Sequence, residues 1–83
     1  MNIRQLKSLV TFFKEGSFAA AAEKLGLSHS AISVQMQQLE EELAAELFDR
    51  TSRPARLTPL GLTIANQAAK TLEQFQLIEK TAA

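Results

Sequence analysis

The sequence predicts a mainly α-helical domain, and two observations carry this prediction. Apolar residues recur at helical spacing in successive stretches, and a capping residue or a glycine stands at most of their ends. With 83 residues, of which 46% are hydrophobic and 22% charged, the chain has the size and composition of one small globular domain.

Composition excludes several kinds of site. The chain has no cysteine, so disulfides and cysteine-based zinc or iron–sulfur centres are ruled out, and its single histidine cannot build a metal site by itself. We therefore expect no metal and no cofactor in this fragment. No apolar run approaches the ~20 residues that cross a bilayer, and residues 1–5 lack the apolar core of a signal peptide. We expect a cytoplasmic chain without a membrane partner. The net charge of zero does not by itself indicate any particular class of partner.

The first two helices are predicted to end at glycines. Spacing predicts a first helix over about Ile3–Glu15, ended by Gly16. Its apolar stripe consists of Ile3, Leu6, Leu9, Val10 and Phe13. Ser17 caps a second helix over Phe18–Leu25, which is rich in alanine and ends at Gly26. The small alanine side chains allow another helix to approach closely.

Ser28 caps a third helix, which is predicted to run to about Ala44 or Ala45. Its apolar stripe consists of Ile32, Met36, Leu39 and Leu43. The opposite side carries Ser30, Val34, Gln37 and Glu41. This helix therefore has one core side and one polar side.

Two very short strands and a long helix are predicted to complete the chain. The strands are Leu47–Arg50 and Ala55–Leu57, with a turn at Thr51–Pro54 between them. Thr58 caps the last helix, which has no internal stop before about Lys80. At 1.5 Å per residue this helix would be roughly 33 Å long, which is longer than a domain of this size needs.

The stretch Ser17–Leu43 has the spacing of a helix-turn-helix with its tight turn at Gly26. Spacing alone does not separate this interpretation from a three-helix bundle with a short loop. The exposed start of the third helix favours the former, because it is neutral and rich in hydrogen-bonding groups, as base edges in the major groove require. These residues are Ser28, His29, Ser30, Ser33, Val34, Gln35, Gln37 and Gln38.

Charge is segregated in the second half of the chain. Residues 40–49 carry only acidic charges, and residues 50–56 carry only the basic Arg50, Arg53 and Arg56. Arginines around a tight turn beside the third helix favour phosphate contact, and the alternative is a solvated surface. His29 could act as a switch or a catalytic base, but no nucleophile, base and orienting group accompany it, so an exposed position on the third helix is favoured.

From Ile3 to about Leu72 the sequence resembles the N-terminal DNA-binding domain of the LysR-type transcriptional regulators. The stretches that carry the resemblance are Arg4-Gln5-Leu6, Gly16-Ser17-Phe18, Ala21-Ala22-Glu23-Lys24-Leu25, Ser28 to Ser33, Leu39-Glu40-Glu41-Glu42-Leu43, Leu47-Phe48-Asp49-Arg50 and Leu57-Thr58-Pro59-Leu60-Gly61. Their order and spacing match the family pattern without a gap.

The resemblance implies a winged helix-turn-helix over residues 1–58, with a three-helix core and a short β-hairpin wing. It also implies a linker helix over residues 59–83 that forms a homodimer. Members of the family continue into an effector-binding domain, so we expect the chain to be a fragment. A small-molecule effector would act only through that C-terminal domain.

The resemblance also implies which residues contact double-stranded DNA. The positions that correspond to base-reading residues are His29, Ser30, Ser33 and Val34. Positions that correspond to contacts with the DNA backbone or minor groove are Ser17, Ser28, Ala31, Gln35, Gln38, Arg50 and Arg53. The family usually has Gln, Pro and Arg where this chain has His29, Ser30 and Val34, so its half-site is expected to differ. Ala44 and Glu46 replace a common glycine and a common basic residue, which favours weaker non-specific affinity for DNA.

The last helix carries a stripe of apolar and small residues. Dimer contacts are expected from Ala65, Ala68, Leu72, Phe75 and Ile78, while the domain's own core is expected to take Leu60 and Ile64. The C-terminal half of the helix would project beyond the core, so its apolar residues need a second chain to cover them.

The favoured function is that of a sequence-specific DNA-binding domain of a bacterial transcription regulator. It would insert the third helix into the major groove as a dimer. The alternative is a helical protein–protein interaction module without DNA binding, which neutral net charge favours slightly. The chain is not expected to be an enzyme, because it has no cofactor motif, paired acids or activated nucleophile.

Overall fold

The computed structural model describes residues 1–83, which form four helices and a two-stranded antiparallel sheet. In chain order the elements are α1 (Ile3–Glu15), α2 (Phe18–Leu25), α3 (His29–Leu43), β1 (Phe48–Asp49), β2 (Arg56–Leu57) and α4 (Pro59–Ala82). In the sheet, Phe48 lies opposite Leu57 and Asp49 lies opposite Arg56. The predicted mainly helical fold, with a short hairpin and a long last helix, is confirmed.

Local backbone chemistry sets the helix boundaries. At the start of α1, Asn2 Oδ1 accepts a hydrogen bond from Gln5 N at 2.8 Å, and Gln5 Oε1 accepts one from Asn2 N at 2.9 Å. Gly16 and Gly26 end α1 and α2 in the left-handed conformation, with φ of 88° and 69°. Helix α3 ends instead at Ala44 with φ of 50°, which costs an alanine about 1 kcal/mol.

The hairpin is shorter than the sequence predicted, because the residues beside it bond to other elements. Leu47 N donates to Glu40 Oε2 at 2.9 Å, and Leu47 O accepts from Thr58 N at 2.9 Å. In the turn, Asp49 Oδ1 accepts hydrogen bonds from Thr51 N at 3.0 Å and from Thr51 Oγ1 at 2.5 Å. Each strand therefore keeps only two residues.

One hydrophobic cluster joins the four helices to the hairpin. Its largest fully buried side chains are Leu9, Ile32, Met36, Leu39 and Leu47. The predicted core stripe of α3 is confirmed for its first three residues, whereas Leu43 is only partly buried. Helix α3 therefore keeps its other side free of core contacts.

An aromatic cluster corrects the sequence-based assignment of α1. Phe13 was expected in the apolar stripe, but this side chain is 37% exposed, and Phe12 is buried in its place. The ring of Phe12 lies 4.7 Å from that of Phe18 and 4.9 Å from that of Phe48, centroid to centroid. Phe18 and Phe48 are 5.0 Å apart. Contacts with α2 and β1 therefore turn Phe12 inward. The spacing of apolar residues within α1 cannot reveal these contacts.

The expected assignment of α4 also needs correction. Ala65, Ala68 and Leu72 were expected at a dimer contact, but they are buried in the domain's own core, where α4 packs mainly on α1. Leu60, which was expected in the core, is 48% exposed, while Ile64 packs partly buried against the cluster. Small residues on α4 thus serve close packing within one chain.

The first turn of α4 lies directly against the segment that leads into β1. Thr58 Oγ1 donates to Glu46 O at 2.7 Å and accepts from Gly61 N at 2.9 Å. A Cβ atom built on Gly61 would lie 2.0 Å from Leu47 O and 2.8 Å from Leu47 C. Only a glycine allows this approach, so the contact between α4 and the hairpin depends on Gly61.

Replacing Gly61 by alanine should therefore destabilise the domain by about 1–3 kcal/mol, because the added methyl group would push α4 away from the backbone of Leu47. In an ordinary helix the same change stabilises by about 1 kcal/mol. Urea unfolding of G61A measures the difference, with the exposed Gln76→Ala in the same helix as the control. A G61A variant as stable as the wild type would contradict the close packing.

Candidate nucleic-acid interface

The first turn of α3 is exposed and carries no acidic residue. Ser28 Oγ accepts a hydrogen bond from Ala31 N at 3.1 Å and lies 3.3 Å from Ser30 Oγ. Ser28, His29 and Ser30 are all exposed beside the free amides of this helix terminus. The helix dipole favours negative charge at this end, so the turn is suited to an anionic partner.

The outward side of α3 is free of core contacts. Val34 is 50% exposed, and it lies opposite Ile32 and Met36, which are fully buried. Ser33 is partly buried, while Ala31 and Gln38 are exposed. Val34 is therefore available to a partner, as the sequence indicated.

Gln35 is placed differently from the other predicted contact residues. Its Oε1 accepts a hydrogen bond from Ser8 Oγ, and Ser8 belongs to the buried side of α1. The side chain of Gln35 thus joins α3 to α1, and its carbonyl is not presented with His29 and Val34. The expected contact of Gln35 with the DNA backbone stays a prediction.

A groove of about 280 Å³ brings together three separated segments of the chain. Its walls include Ser17 at the start of α2, His29 and Ser33 on α3, and Arg53 in the hairpin turn. Ser17 Oγ accepts a hydrogen bond from Ala20 N at 3.1 Å, which fixes the start of α2. The structure therefore places five of the predicted contact residues, Arg50 included, around one concave surface.

His29 forms one edge of this groove. The imidazole ring packs edge-on against Phe18, with the ring centroids 5.8 Å apart, while the residue as a whole stays exposed. The aromatic cluster beneath α2 thereby supports the first turn of α3.

Arg50 borders the groove, but its guanidinium also makes contacts within the domain. Its Nη1 donates to Glu40 Oε1 at 2.6 Å, and its guanidinium carbon lies 5.3 Å from the ring centroid of Phe48 and 5.8 Å from that of Phe18. The Nε and Nη2 atoms are buried without a hydrogen-bond partner. The guanidinium is thus bonded within the domain, and the contact of Arg50 with the DNA backbone or minor groove stays a prediction.

Glu40 connects α3 to the start of the hairpin, and the sequence analysis did not assign it this part. Its Oε2 accepts hydrogen bonds from Leu47 N at 2.9 Å and Phe48 N at 3.2 Å, in addition to the pair between Oε1 and Arg50. In the sequence Glu40 is one member of an acidic block, and nothing in its spacing distinguishes it from Glu41. Only the position of β1 reveals its role.

Other acids of the block are also bound to the domain. The Thr51 hydroxyl and backbone N–H hold the pKa of Asp49 below its ordinary value by hydrogen bonds. The N-terminal ammonium group of Met1, together with the Gln5 amide, holds the pKa of Glu42 below its ordinary value. Among the residues that line the groove, none is acidic.

The structure contains no cluster of His, Cys, Asp or Glu side chains that could hold a metal ion. None of its helices combines the length and the apolar character needed to cross a membrane.

The chain matches known regulators in sequence. The profile described as "Bacterial regulatory helix-turn-helix protein, lysR family" matches residues 3–62. The HTH-type transcriptional regulator BenM of Acinetobacter baylyi is 39% identical over 82 residues, which are 98% of this chain and 27% of BenM. The probable RuBisCO transcriptional regulator of Synechocystis sp. is 43% identical over 72 residues, which are 87% of this chain and 21% of that protein.

The chain is also similar to solved structures. The BenM DBD in complex with catB site 1 DNA superimposes with a TM-score of 0.93 at 36% identity, covering 99% of this chain and 92% of that one. Full-length OxyR of Pseudomonas aeruginosa gives a TM-score of 0.92 at 40% identity, covering 99% of this chain and 28% of that one. The chain spans between 20% and 33% of the length of the curated relatives.

The profile match covers most of the chain, from α1 through the start of α4. The residues that line the groove all lie within the matched range. The profile and the similar proteins described above point to the same family. The chain therefore belongs to the LysR family of bacterial helix-turn-helix transcriptional regulators, of which it forms the DNA-binding domain.

Proposed function

We propose that the chain binds double-stranded DNA in a sequence-specific manner, with α3 in the major groove and the hairpin turn against the adjacent backbone or minor groove. The observation that carries this proposal is the groove shared by Ser17, His29, Ser33 and Arg53. One DNA duplex placed along α3 would meet all of these side chains at once.

The residues on this surface have the chemical groups that DNA recognition requires. The hydroxyls of Ser28, Ser30 and Ser33 and the imidazole of His29 supply hydrogen-bond donors and acceptors to base edges or phosphates. Arg53 is exposed in the turn and supplies the positive charge. Ala31 and Gln38 are exposed on α3 and flank the base-reading positions.

Similarity to DNA complexes supports the proposal. The BenM DBD was solved with catB site 1 DNA and with benA site 1 DNA, and this chain superimposes on them with TM-scores of 0.93 and 0.92. DarR of Vibrio fischeri, solved in complex with DNA, gives a TM-score of 0.90 at 28% identity. The relatives are transcriptional regulators, and we propose a cytoplasmic, non-enzymatic role in transcription for the protein to which this chain belongs.

A homodimer through α4 is part of the proposal, with its contact face revised by the structure. Ile64, Phe75 and Ile78 lie on one flank of α4, beside the buried stripe, and Phe75 and Ile78 are 37% and 69% exposed. We assign the dimer contact to this flank in place of Ala65, Ala68 and Leu72. The relatives extend well beyond the length of this chain, and we propose that any small-molecule effector acts through such a further domain.

Selection of bound duplexes from a random pool tests the proposed function directly. We expect enrichment of one half-site repeated with a fixed spacing, and binding that weakens steeply as salt rises. If no duplex is enriched and none binds at low salt, the chain is a helical protein-interaction module and the proposal is wrong.

Val34 gives a prediction about the selected half-site. A valine cannot hydrogen-bond to a base, but it can pack against the thymine methyl group, the one apolar group in the major groove. We expect a thymine opposite Val34, and replacing it with deoxyuridine should cost roughly 1 kcal/mol, the value of one buried methyl group. Titration of each deoxyuridine duplex measures the loss, and V34A is the matched control. If no deoxyuridine replacement weakens binding, or if V34A shows the same loss of affinity as the wild type on that replacement, Val34 makes no such contact.

The revised dimer face predicts different outcomes for two neighbouring substitutions. Ile78→Glu should shift the chain toward monomer and leave its thermal stability nearly unchanged, because Ile78 is 69% exposed in the single chain. Leu72→Ala should instead destabilise the fold by about 2–5 kcal/mol, because Leu72 is buried. Sedimentation and thermal unfolding measure the two effects. Leu62→Glu, on the other flank of α4, is the control. A dimer that survives Ile78→Glu but not Leu62→Glu would move the contact to that flank.

A further inference from the structure

We propose that Glu40 and Arg50 are positioning residues, which hold the hairpin at a fixed angle to α3 so that Arg53 reaches the DNA. In this proposal Arg50 is not itself a ligand of DNA. The inference rests on the proposed function, because it assigns the part that two further side chains play in DNA binding.

The first observation is the number of bonds that meet at one carboxylate. Glu40 lies in α3 and is the acceptor for Leu47 N at 2.9 Å, Phe48 N at 3.2 Å and Arg50 Nη1 at 2.6 Å. All three donors belong to the start of the hairpin. With one carboxylate bonded to three points along a short segment, the segment cannot rotate about α3 without breaking charge-assisted hydrogen bonds.

The second observation is that the guanidinium of Arg50 is already committed. It lies over the rings of Phe18 and Phe48, and its Nε and Nη2 atoms are buried, although the side chain as a whole is 32% exposed and borders the groove. The Glu40 side chain is 13% exposed. If Arg50 turned to a phosphate, the largely buried negative charge of Glu40 would lose its positive partner, which is unfavourable.

The third observation is the position of Arg53 relative to this anchor. Arg50 begins the turn between the two strands and Arg53 lies within it, and both border the groove that also contains His29 and Ser33. The hairpin has only two residues in each strand, so its own ladder gives it little rigidity. The angle at which Arg53 approaches the duplex is therefore set by the bonds at Glu40.

The first test uses two acids that are adjacent in α3. Removal of a negative charge beside DNA ordinarily strengthens binding, and the exposed Glu41→Gln should therefore bind the selected duplex equally well or more tightly. Glu40→Gln removes the same charge, yet we expect about tenfold weaker binding, because the ion pair to Arg50 is lost. Equal or tighter binding by Glu40→Gln would overturn the proposal.

The second test is a double-mutant cycle with Arg50→Met and Arg53→Gln. If Arg50 acts through Arg53, the double variant should bind about as weakly as Arg53→Gln alone, and its salt slope should fall by about one unit in total. If Arg50 is an independent phosphate ligand, the two losses multiply and the slope falls by about two units, which contradicts the proposal. The exposed Arg56→Gln serves as a charge control for both substitutions.

Footprinting gives a readout that a general loss of stability does not move. We expect Arg50→Met and Glu40→Gln to lose protection of the DNA where the hairpin turn lies, while protection along the α3 half-site remains. If Arg50→Met does not fold, Arg50→Lys replaces it in the cycle, since lysine keeps the charge for a phosphate but not the planar guanidinium over the rings. Full affinity of Arg50→Lys would then count against the proposal. Failure of the wild type to bind any duplex would instead reject the proposed function.

Discussion

The carboxylate of Glu40 joins the hairpin to α3, and the shape of the whole DNA-facing surface depends on this connection. A sheet with two residues in each strand is not stable by itself, so its position must come from its neighbours. Glu40 fixes the start of β1 from one side, and Gly61 lets α4 fix the preceding residue, Leu47, from the other. Between these contacts the aromatic cluster fills the space beneath α2. These contacts hold the base of the hairpin in place, although the turn itself is exposed.

In the proposed dimer, helix α4 would serve two purposes on separate flanks. Its small residues and Leu72 complete the core against α1, while Phe75 and Ile78 are exposed on the neighbouring flank. Association through α4 can then set the distance between two DNA-facing surfaces without altering either of them.

The sequence was sufficient to predict the helices and the hairpin. It was insufficient to predict side-chain positions that depend on contacts between these elements. Capping residues and glycines predicted all four helices within a few residues, and the helical period predicted the core side of α3 and the exposure of Val34. Periodicity could not distinguish Phe12 from Phe13, because the choice depends on rings contributed by α2 and β1. The ion pair of Glu40 with Arg50 joins two residues whose spacing carries no helical or strand period. The sequence analysis therefore missed it.

The central claim is that α3 and the hairpin turn form one rigid surface that contacts DNA together. Amide chemical-shift mapping during titration with the selected duplex tests it most directly. We expect simultaneous shifts at His29 to Val34 and at Arg53, while the amides of Leu47 and Phe48 keep their shifts because their bonds to Glu40 persist. Shifts confined to the exposed flank of α4, with none along the groove, would contradict the account.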